Sequence, residues 1–391
     1  MKIGIDASRA FLKNRTGIEE YCYQVVKYLR NELKNFEVVL YLRPNKSFFK
    51  CCDFSIPKKW KLRTINFPRL WTQVGLSLEM IRNPVDVLFV PAHTVPVIHP
   101  NNFLLKTINQ LKKNKRKPKT IVVIHGLEYE FLPKAYSRWE RFYMRQSIKK
   151  SCQWATNIVA VSGNTKKDLT RLYNIPRNKI KVIYEGIGNV LLEKKNNKTT
   201  KISKDLEIII KKHKYILFVG RIEERKNIFG IIKSFEILKT KHNIPHKLIL
   251  AGGFGYGYTK IIDQIENSKI KNDIFLTGYI SQNKKVYLLR KSDLFLFPSF
   301  YEGFGLPVLE SQKMGVPIVA SDKSSIPEVV GRYMKPFLVN PNNPEEIARV
   351  SLKIINDKKT RNDIIKLGYK NIERFSWDGC ARNIANIIKN D

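Results

Sequence analysis

Residues 293–331 read DLFLFPSFYEGFGLPVLESQKMGVPIVASDKSSIPEVVG, and this stretch decides the fold. Its opening, Asp293 to Ser299, is a continuous apolar run closed by Pro298 and Ser299. A strand buried on both faces has that pattern. A short loop, Phe300 to Gly305, follows with two glycines around Phe304. Pro307 then stands where a first helical residue belongs, pre-set for helix and lacking only an orphan N–H. The helix is predicted to run through Val308, Leu309, Glu310 and Met314 and to stop at Gly315. A second buried strand, Ile318 to Ser321, comes next.

A strand, a glycine loop and a helix N-terminus outline an anion site. N–H groups of a first turn point into such a loop, and the helix dipole favours negative charge there. Gly303 and Gly305 allow the backbone to approach a ligand closely. Glu302 in the loop and Glu310 on the helix bracket the turn, eight positions apart.

Working outward, short apolar runs recur along the chain with helical patterns between them. Six lie in the first half: Ile3 to Asp6, Val38 to Leu42, Val87 to Pro91, Thr120 to His125, Ile158 to Ser162 and Lys181 to Tyr184. Six more follow: Tyr215 to Gly220, Lys247 to Gly252, Ile274 to Gly278, Leu294 to Pro298, Ile318 to Ser321 and Phe337 to Asn340. Strands alternating with helices predict parallel sheets covered on both faces. Two sets predict an α/β protein of two Rossmann-like domains, and 391 residues suit two domains. A lysine- and asparagine-rich stretch, Glu193 to Lys204, reads as an exposed linker between them.

Composition limits the functional classes. No apolar run reaches the roughly 18 residues that a membrane span needs. The start, MKIGIDASRA, carries Asp6 and lacks the apolar core of a signal peptide, so a cytoplasmic protein is expected. The five cysteines, Cys22, Cys51, Cys52, Cys152 and Cys380, are odd in number and form no CxxC, so neither a metal nor a disulfide framework is implied. A net charge of +37, from 71 basic and 34 acidic residues, points to anionic partners or to lysine as surface filler. Nucleic-acid motifs are missing, so no specific nucleic-acid partner is expected. The run LKKNKRKPK at 111–119 reads as a solvated loop. SRWERFYMRQSIKK at 137–150 reads as a basic amphipathic helix with Arg138, Arg141, Arg145 and Lys149 in one stripe and Trp139, Phe142 and Tyr143 as aromatic bulk. It is the candidate contact to an anionic membrane surface.

The 293–331 stretch resembles the donor-binding signature of the retaining family-4 glycosyltransferases, which have the GT-B fold. The match includes the flanking FPS, the Gly315-Val316-Pro317 turn and the PEVVG end. The resemblance implies that Glu302 sits by the donor sugar and that Glu310 holds the nucleotide's ribose. Gly303, Phe304, Gly305 and Leu306 would cradle the diphosphate. In YILFVGRIEERKN, Arg221 and Lys226 stand five apart, as in the family's diphosphate-binding pair. Arg225 is a competing neighbour, set aside on spacing. TGYISQNKKVYLLRKSD resembles the segment over the nucleotide base, with Tyr279 and Ile280 nearest. LILAGGFGYGY reads as a strand end and loop near the cleft. IDASR…TGIEEY resembles the start of mannosyltransferase-like members, in which the loop at Gly17 approaches the diphosphate. His125 ends a strand and, by the resemblance, faces the donor sugar. The acid that often follows this histidine is replaced by Gly126. FSWDGCARNIANIIK resembles the family's last helix.

The implied organisation is an acceptor domain over 1–195, a donor domain over 196–370 and a crossing C-terminal helix over 371–391, with the two Rossmann-like domains facing across a cleft. The implied activity is retaining transfer of a hexosyl group, best read as mannosyl from GDP-mannose, to a lipid-linked or polysaccharide glycan. No metal and no cofactor are expected, since Arg221, Lys226 and a helix end can meet the phosphate charge. A peripheral position at the inner membrane face is expected. The alternatives are a nucleotide-sugar epimerase on the same fold and a non-catalytic sugar- or nucleic-acid-binding descendant. A phosphorylase would need a much longer chain.

Overall fold

The computed structural model describes residues 1–13, 15–44, 54–102, 118–188 and 204–390, with the backbone alone for 204–206. The chain divides into two compact units. Unit 1 comprises Met1–Glu130, Arg138–Gly188 and Phe375–Asp391; unit 2 comprises Phe131–Ser137 and Asn189–Arg374. The boundary placed at 195/196, residues 193–203 of the linker, most of the 111–119 run, Cys51 and Cys52 lie outside the described residues.

Unit 1 is built on a parallel sheet of seven described strands in the order β3-β2-β1-β4-β5-β6-β7. They are β1 (Lys2–Asp6), β2 (Glu37–Leu42), β3 (Trp60–Thr64), β4 (Val87–Val90), β5 (Lys119–Ile124), β6 (Asn157–Ala160) and β7 (Ile180–Val182). Every residue of β4 and β5 is buried, as expected for strands covered on both faces. Six strands were expected here, so β3 corrects that count. It is an edge strand, WKLRT, with only Trp60 buried and two cations facing water. Edge strands tolerate such residues, which is why no apolar run marks it.

Helix α1 (Gly17–Glu32) follows β1. Thr16 caps it, and the Thr16 N–H donates back to Glu19 Oε2 at 3.0 Å. Helix α2 (Arg138–Trp154) runs between β5 and β6. The C-terminal helix α7 (Trp377–Lys389) lies in unit 1 against α1. The Tyr21 and Trp377 rings meet edge to face at 5.7 Å, and Lys389 Nζ lies 3.3 Å from Glu32 Oε2.

Unit 2 carries six parallel described strands in the order β10-β9-β8-β11-β12-β13. These are β8 (Tyr215–Val219), β9 (Lys247–Ala251), β10 (Ile274–Leu276), β11 (Leu294–Phe297), β12 (Ile318–Ser321) and β13 (Leu338–Val339). Helices α4 (Ile228–His242), α5 (Gln282–Lys291) and α6 (Leu306–Lys313) belong to the connections, with α3 (Gly163–Tyr173) the corresponding helix between β6 and β7 of unit 1. α6 begins one residue before Pro307, and Gly315 after it has a φ of 67°, a left-handed position that glycine adopts at little cost.

Candidate functional site

Strand order in unit 2 reverses between β8 and β11, which are neighbours in the sheet. Open α/β sheets bind ligands outside the carboxyl ends of their strands at such a reversal. Two loops leave this point, 220–227 after β8 and 298–305 after β11. They are bonded to each other. The Phe300 N–H donates to the Arg225 carbonyl at 3.0 Å. Asn227 Nδ2 donates to the carbonyls of Pro298 at 3.1 Å and Pro341 at 2.6 Å. Asn227 sits at φ 58°, a region asparagine tolerates, and its Oδ1 caps α4 by accepting the Gly230 N–H at 3.1 Å.

Glu302 is buried at the centre of this frame. Its Oε1 accepts from Lys226 Nζ at 2.6 Å, and its Oε2 accepts from Arg225 Nη1 at 3.2 Å. The Glu302 N–H donates to Ser324 Oγ at 2.9 Å. The Ser325 hydroxyl is shared between the carbonyls of Glu302 and Phe304, at 2.9 and 2.8 Å. Ser324 has a φ of 52°, which costs a non-glycine residue about 1 kcal/mol. That strain is held beside the one carboxylate of the 298–305 loop, which is buried. Burial alone would raise the Glu302 pKa; Lys226 and then Arg225 more than reverse this, and the carboxyl is held below its ordinary range. Lys226 is lowered, by burial first and by Arg225 second, with Glu302 opposing.

Arg221 differs from its neighbours. Its side chain is 64% exposed and its closest carboxylate contact, to Glu223, is 3.8 Å. With Glu223, Arg225, Tyr256, Ala135 and Tyr136 it lines a cavity of about 150 Å³ in unit 2.

The helix end beside Glu302 has specific donors. Pro307 has no N–H, and the Val308 N–H is used on the Gly305 carbonyl at 3.0 Å. The N–H groups of Gly305 and Leu306 have no partner among the described residues. Gly305 has a φ of 108°, and a Cβ there would lie 2.8 Å from Ile326 Cδ1, so glycine is required. Glu310, on α6, pairs with Lys285 of α5. The loop therefore offers cations and paired N–H donors to an anion, with one buried carboxylate and one partly exposed carboxylate beside it.

Two family models match the chain along most of its length. "Glycosyltransferase Family 4" matches residues 15–188, and "Glycosyl transferases group 1" matches residues 200–371. The chain belongs to the group 1 glycosyltransferases. Among curated relatives, the O-antigen chain mannosyltransferase B of Escherichia coli is 27% identical over 274 residues, 70% of this chain and 71% of that one. An uncharacterised glycosyltransferase of Methanocaldococcus jannaschii is 26% identical over 340 residues, 84% of each chain. The fold matches HepE of Anabaena, solved with UDP and glucose, at a TM-score of 0.71 and 17% identity over the whole of both chains. It also matches WaaG, a lipopolysaccharide-biosynthesis glycosyltransferase, at 0.69 and 12%, again over both whole chains. These likenesses give the GT-B fold.

In this glycosyltransferase, unit 2 brings together Arg221, Lys226, Glu302 and the Gly303–Leu306 loop, with Glu310 on the helix that the loop opens. Tyr279 is exposed, after Gly278 at φ 64°. His125 and Gly17 belong to unit 1. The His125 ring is buried there: Nε2 donates to the Pro91 carbonyl at 2.8 Å and Nδ1 faces Glu185 at 3.5 Å. Tyr21 and His93 pack on it with ring centroids at 4.5 and 5.3 Å. Gly17 is the first residue of α1, and a Cβ there would meet nothing within 4 Å. Its backbone does not require glycine; what the glycine leaves is open space.

The stripe on α2 is only partly a solvated face. Arg145 Nε donates to Glu130 Oε1 at 2.7 Å, and Arg141 lies 3.8 Å from Glu130 Oε2. Trp139 is 81% exposed. The residues missed from sequence are Arg225 as a partner of Glu302, Asn227, Ser324, Ser325 and Lys285. Adjacent cations in RKN and paired hydroxyls in DKSS were the available signals; neither shows its partner, which lies 22 to 77 positions away.

Proposed function

We propose that this glycosyltransferase is a retaining enzyme that moves a mannosyl group from GDP-mannose to a lipid-linked or growing polysaccharide glycan. The observation that carries the reading is Glu302, held ionised between Lys226 and Arg225 beside the N–H groups of Gly305 and Leu306. A leaving diphosphate and a sugar ring gaining positive charge need opposite charges side by side. Arg221, Lys226 and the two N–H groups meet the diphosphate. Glu302 faces the sugar. Glu310 accepts from the ribose hydroxyls, and Tyr279 and Ile280 lie at the base.

The bond from the sugar's C1 to the phosphate oxygen breaks. The acceptor oxygen bonds to C1 on the same face, and its proton passes to the departing phosphate oxygen. Configuration is retained and no protein base is consumed. His125 is given no proton-transfer role, because both ring nitrogens face acceptors, the Pro91 carbonyl and Glu185. Mannose is favoured by the relative named O-antigen chain mannosyltransferase B and by the IDASR…TGI start. The cations replace a metal, so turnover survives EDTA.

No helix among the described residues is long and apolar enough to cross a membrane. The enzyme works in the cytoplasm, peripheral at the inner membrane face, with α2 as its contact. A panel of GDP- and UDP-sugars, scored for nucleotide release and thermal stabilisation with and without EDTA, tests the reading. GDP-mannose is expected to give the largest release with a glycan acceptor, and product of retained anomeric configuration. Release from no nucleotide sugar, inverted product, or a metal requirement would overturn the corresponding part.

A further inference from the structure

We infer that Arg225 is a positioning residue for the transfer: its guanidinium bridges Glu223 and Glu302 and keeps the Glu302 carboxylate fixed and counter-charged while Lys226 turns to the donor diphosphate. The inference rests on the roles just proposed for Glu302, Arg221 and Lys226.

Three cations crowd this turn, and the structure commits them differently. Every guanidinium nitrogen of Arg225 is engaged within the protein. Nε and Nη2 donate to Glu223 Oε1 at 3.1 and 2.8 Å. Nη1 donates to the Tyr301 carbonyl at 3.0 Å and to Glu302 Oε2 at 3.2 Å. Its own carbonyl accepts the Phe300 N–H at 3.0 Å. Arg225 therefore holds the loop backbone on both sides of Tyr301 as well as the carboxylate after it. Arg221 is exposed and has one long contact. Lys226 stands between these cases, buried, with its ammonium on Glu302 Oε1 at 2.6 Å.

An arriving diphosphate competes with Glu302 for Lys226. Lysine is a compact charge on a flexible stem and can shift; a guanidinium fork with several fixed partners cannot shift as easily. If Lys226 moves and nothing else neutralises Glu302, a buried carboxylate is left uncompensated, which strongly favours its protonation. A protonated Glu302 would offer the sugar no negative charge as the bond to phosphate breaks. Arg225 prevents this because its contact is to the other carboxylate oxygen.

The charged and polar groups around Glu302 come from three segments. Lys226 and Arg225 reach it from the turn after β8, with Glu223 behind Arg225. Ser299 lies in its own loop after β11. Ser324 and Ser325 bind its backbone from the loop after β12. Arg225 and Lys226 are the positive charges of this set, so the loss of either exposes the titration of Glu302 in the rate.

The test uses the full chain, the nucleotide sugar that the wild type turns over, kcat from pH 5 to 8, and calorimetry with the matching nucleoside diphosphate at pH 8. Arg225→Gln is expected to lower kcat at pH 7 by about tenfold or more and to move the acid limb of kcat upward by about one pH unit. Diphosphate affinity at pH 8 is expected to stay within about twofold. Arg225→Lys keeps a charge but loses the fork, so its acid limb should return towards wild type while kcat stays low. Should Arg225→Gln fail to fold, Glu223→Gln removes the far anchor and keeps the cation; it should lower kcat with diphosphate affinity retained.

A fall in diphosphate affinity matching that of Arg221→Gln would make Arg225 a ligand contact and overturn the inference. So would an unmoved acid limb in Arg225→Gln, whatever its kcat, or unchanged kcat in Glu223→Gln where that variant stands in. A wild-type chain that turns over no nucleotide sugar overturns the transferase reading with it. An active wild type with an unshifted Arg225→Gln overturns the Arg225 role alone.

Discussion

Lys226 Nζ lies 2.6 Å from Glu302 Oε1, and the two buried side chains tie the turn after β8 to the loop after β11. Two neighbouring strand ends are thus joined by a charge pair that water barely reaches. Removing one member of such a pair leaves the other uncompensated, whereas removing both is much milder. Lys226→Met is expected to cost about 3 kcal/mol at pH 7, the low end of the range for a broken buried pair, because Arg225 still faces Glu302. Lys226→Met with Glu302→Gln should recover part of that loss. The pH dependence follows from the sign of the shift. The folded pKa of Glu302 lies below its ordinary value of 4.5, so its stabilisation is complete above that value and lost as pH falls through the folded one. Lys226 is also lowered, from 10.5; charging it costs stability below its folded pKa, and that cost fades as pH rises towards 10.5. Thermal melts between pH 3 and 8 read out the Glu302 part, and their extension towards pH 10.5 the Lys226 part. A double variant that loses as much stability on acidification as the wild type would show that another group carries the acid sensitivity.

Lys285 and Glu310 give a second prediction. Lys285 stands in the first turns of α5 and pairs with Glu310 on α6. The pair is largely shielded, so it holds the carboxylate in place; if Glu310 takes the ribose as proposed, a pre-set acceptor loses less freedom on binding. Lys285→Ala should weaken nucleoside diphosphate binding about fivefold, the size of one partly exposed ion pair. Calorimetry at low and at moderate salt checks it. Tighter binding in the variant would mean that Lys285 competes with ribose for Glu310.

Helix α2 gives a third. Trp139, Phe142 and Tyr143 are exposed on it, with the Trp139 and Phe142 rings edge to face at 6.3 Å. Arg145 is tied to Glu130 and is a poor site for a charge reversal. The informative variants are Trp139→Ala with Phe142→Ala, which should weaken sedimentation with anionic vesicles at any salt, and Arg138→Glu with Lys149→Glu, which should weaken it mainly at low salt. Equal sedimentation with neutral and anionic vesicles, or none, would refute the membrane contact.

What was legible in the sequence follows from which interactions are local. Strands buried on both faces announce themselves as apolar runs, and twelve of the thirteen described strands have one. β3 escaped because an edge strand with one buried residue needs no such run. The loop from Gly303 to Leu306 was legible because glycine at φ 108° and proline in the first turn are backbone requirements of the local geometry. The partners of Glu302 were not, since Arg225 and Ser324 reach it through the packing of three separate loops. His125 was visible as a strand end, but the inward direction of its ring depends on Pro91 and Glu185, which lie far from it in sequence. Arg145 looked like one of a solvated stripe because Glu130 precedes the helix that presents it.

The two glutamates give the last prediction. Glu310 is assigned to ribose hydroxyls, which do not change as the glycosidic bond to phosphate breaks. Its loss therefore removes binding equally from ground and transition states, and Glu310→Gln should mainly raise the donor KM and weaken the bare diphosphate. Glu302 is assigned to the sugar, whose ring gains positive charge during the reaction. That interaction strengthens towards the transition state, so Glu302→Gln should mainly lower kcat, by roughly a hundredfold for the loss of one such contact. The structure adds a reason to expect little change in diphosphate affinity. Glu302→Gln frees Lys226 from its 2.6 Å contact, which leaves that cation more available to phosphate. Bare diphosphate should then bind the variant as well as the wild type, or slightly better. Calorimetry with the diphosphate beside steady-state kinetics with the sugar donor separates the roles. An unchanged kcat in Glu302→Gln, or a loss of diphosphate binding equal to that of Glu310→Gln, would show that Glu302 serves the nucleotide and not the sugar.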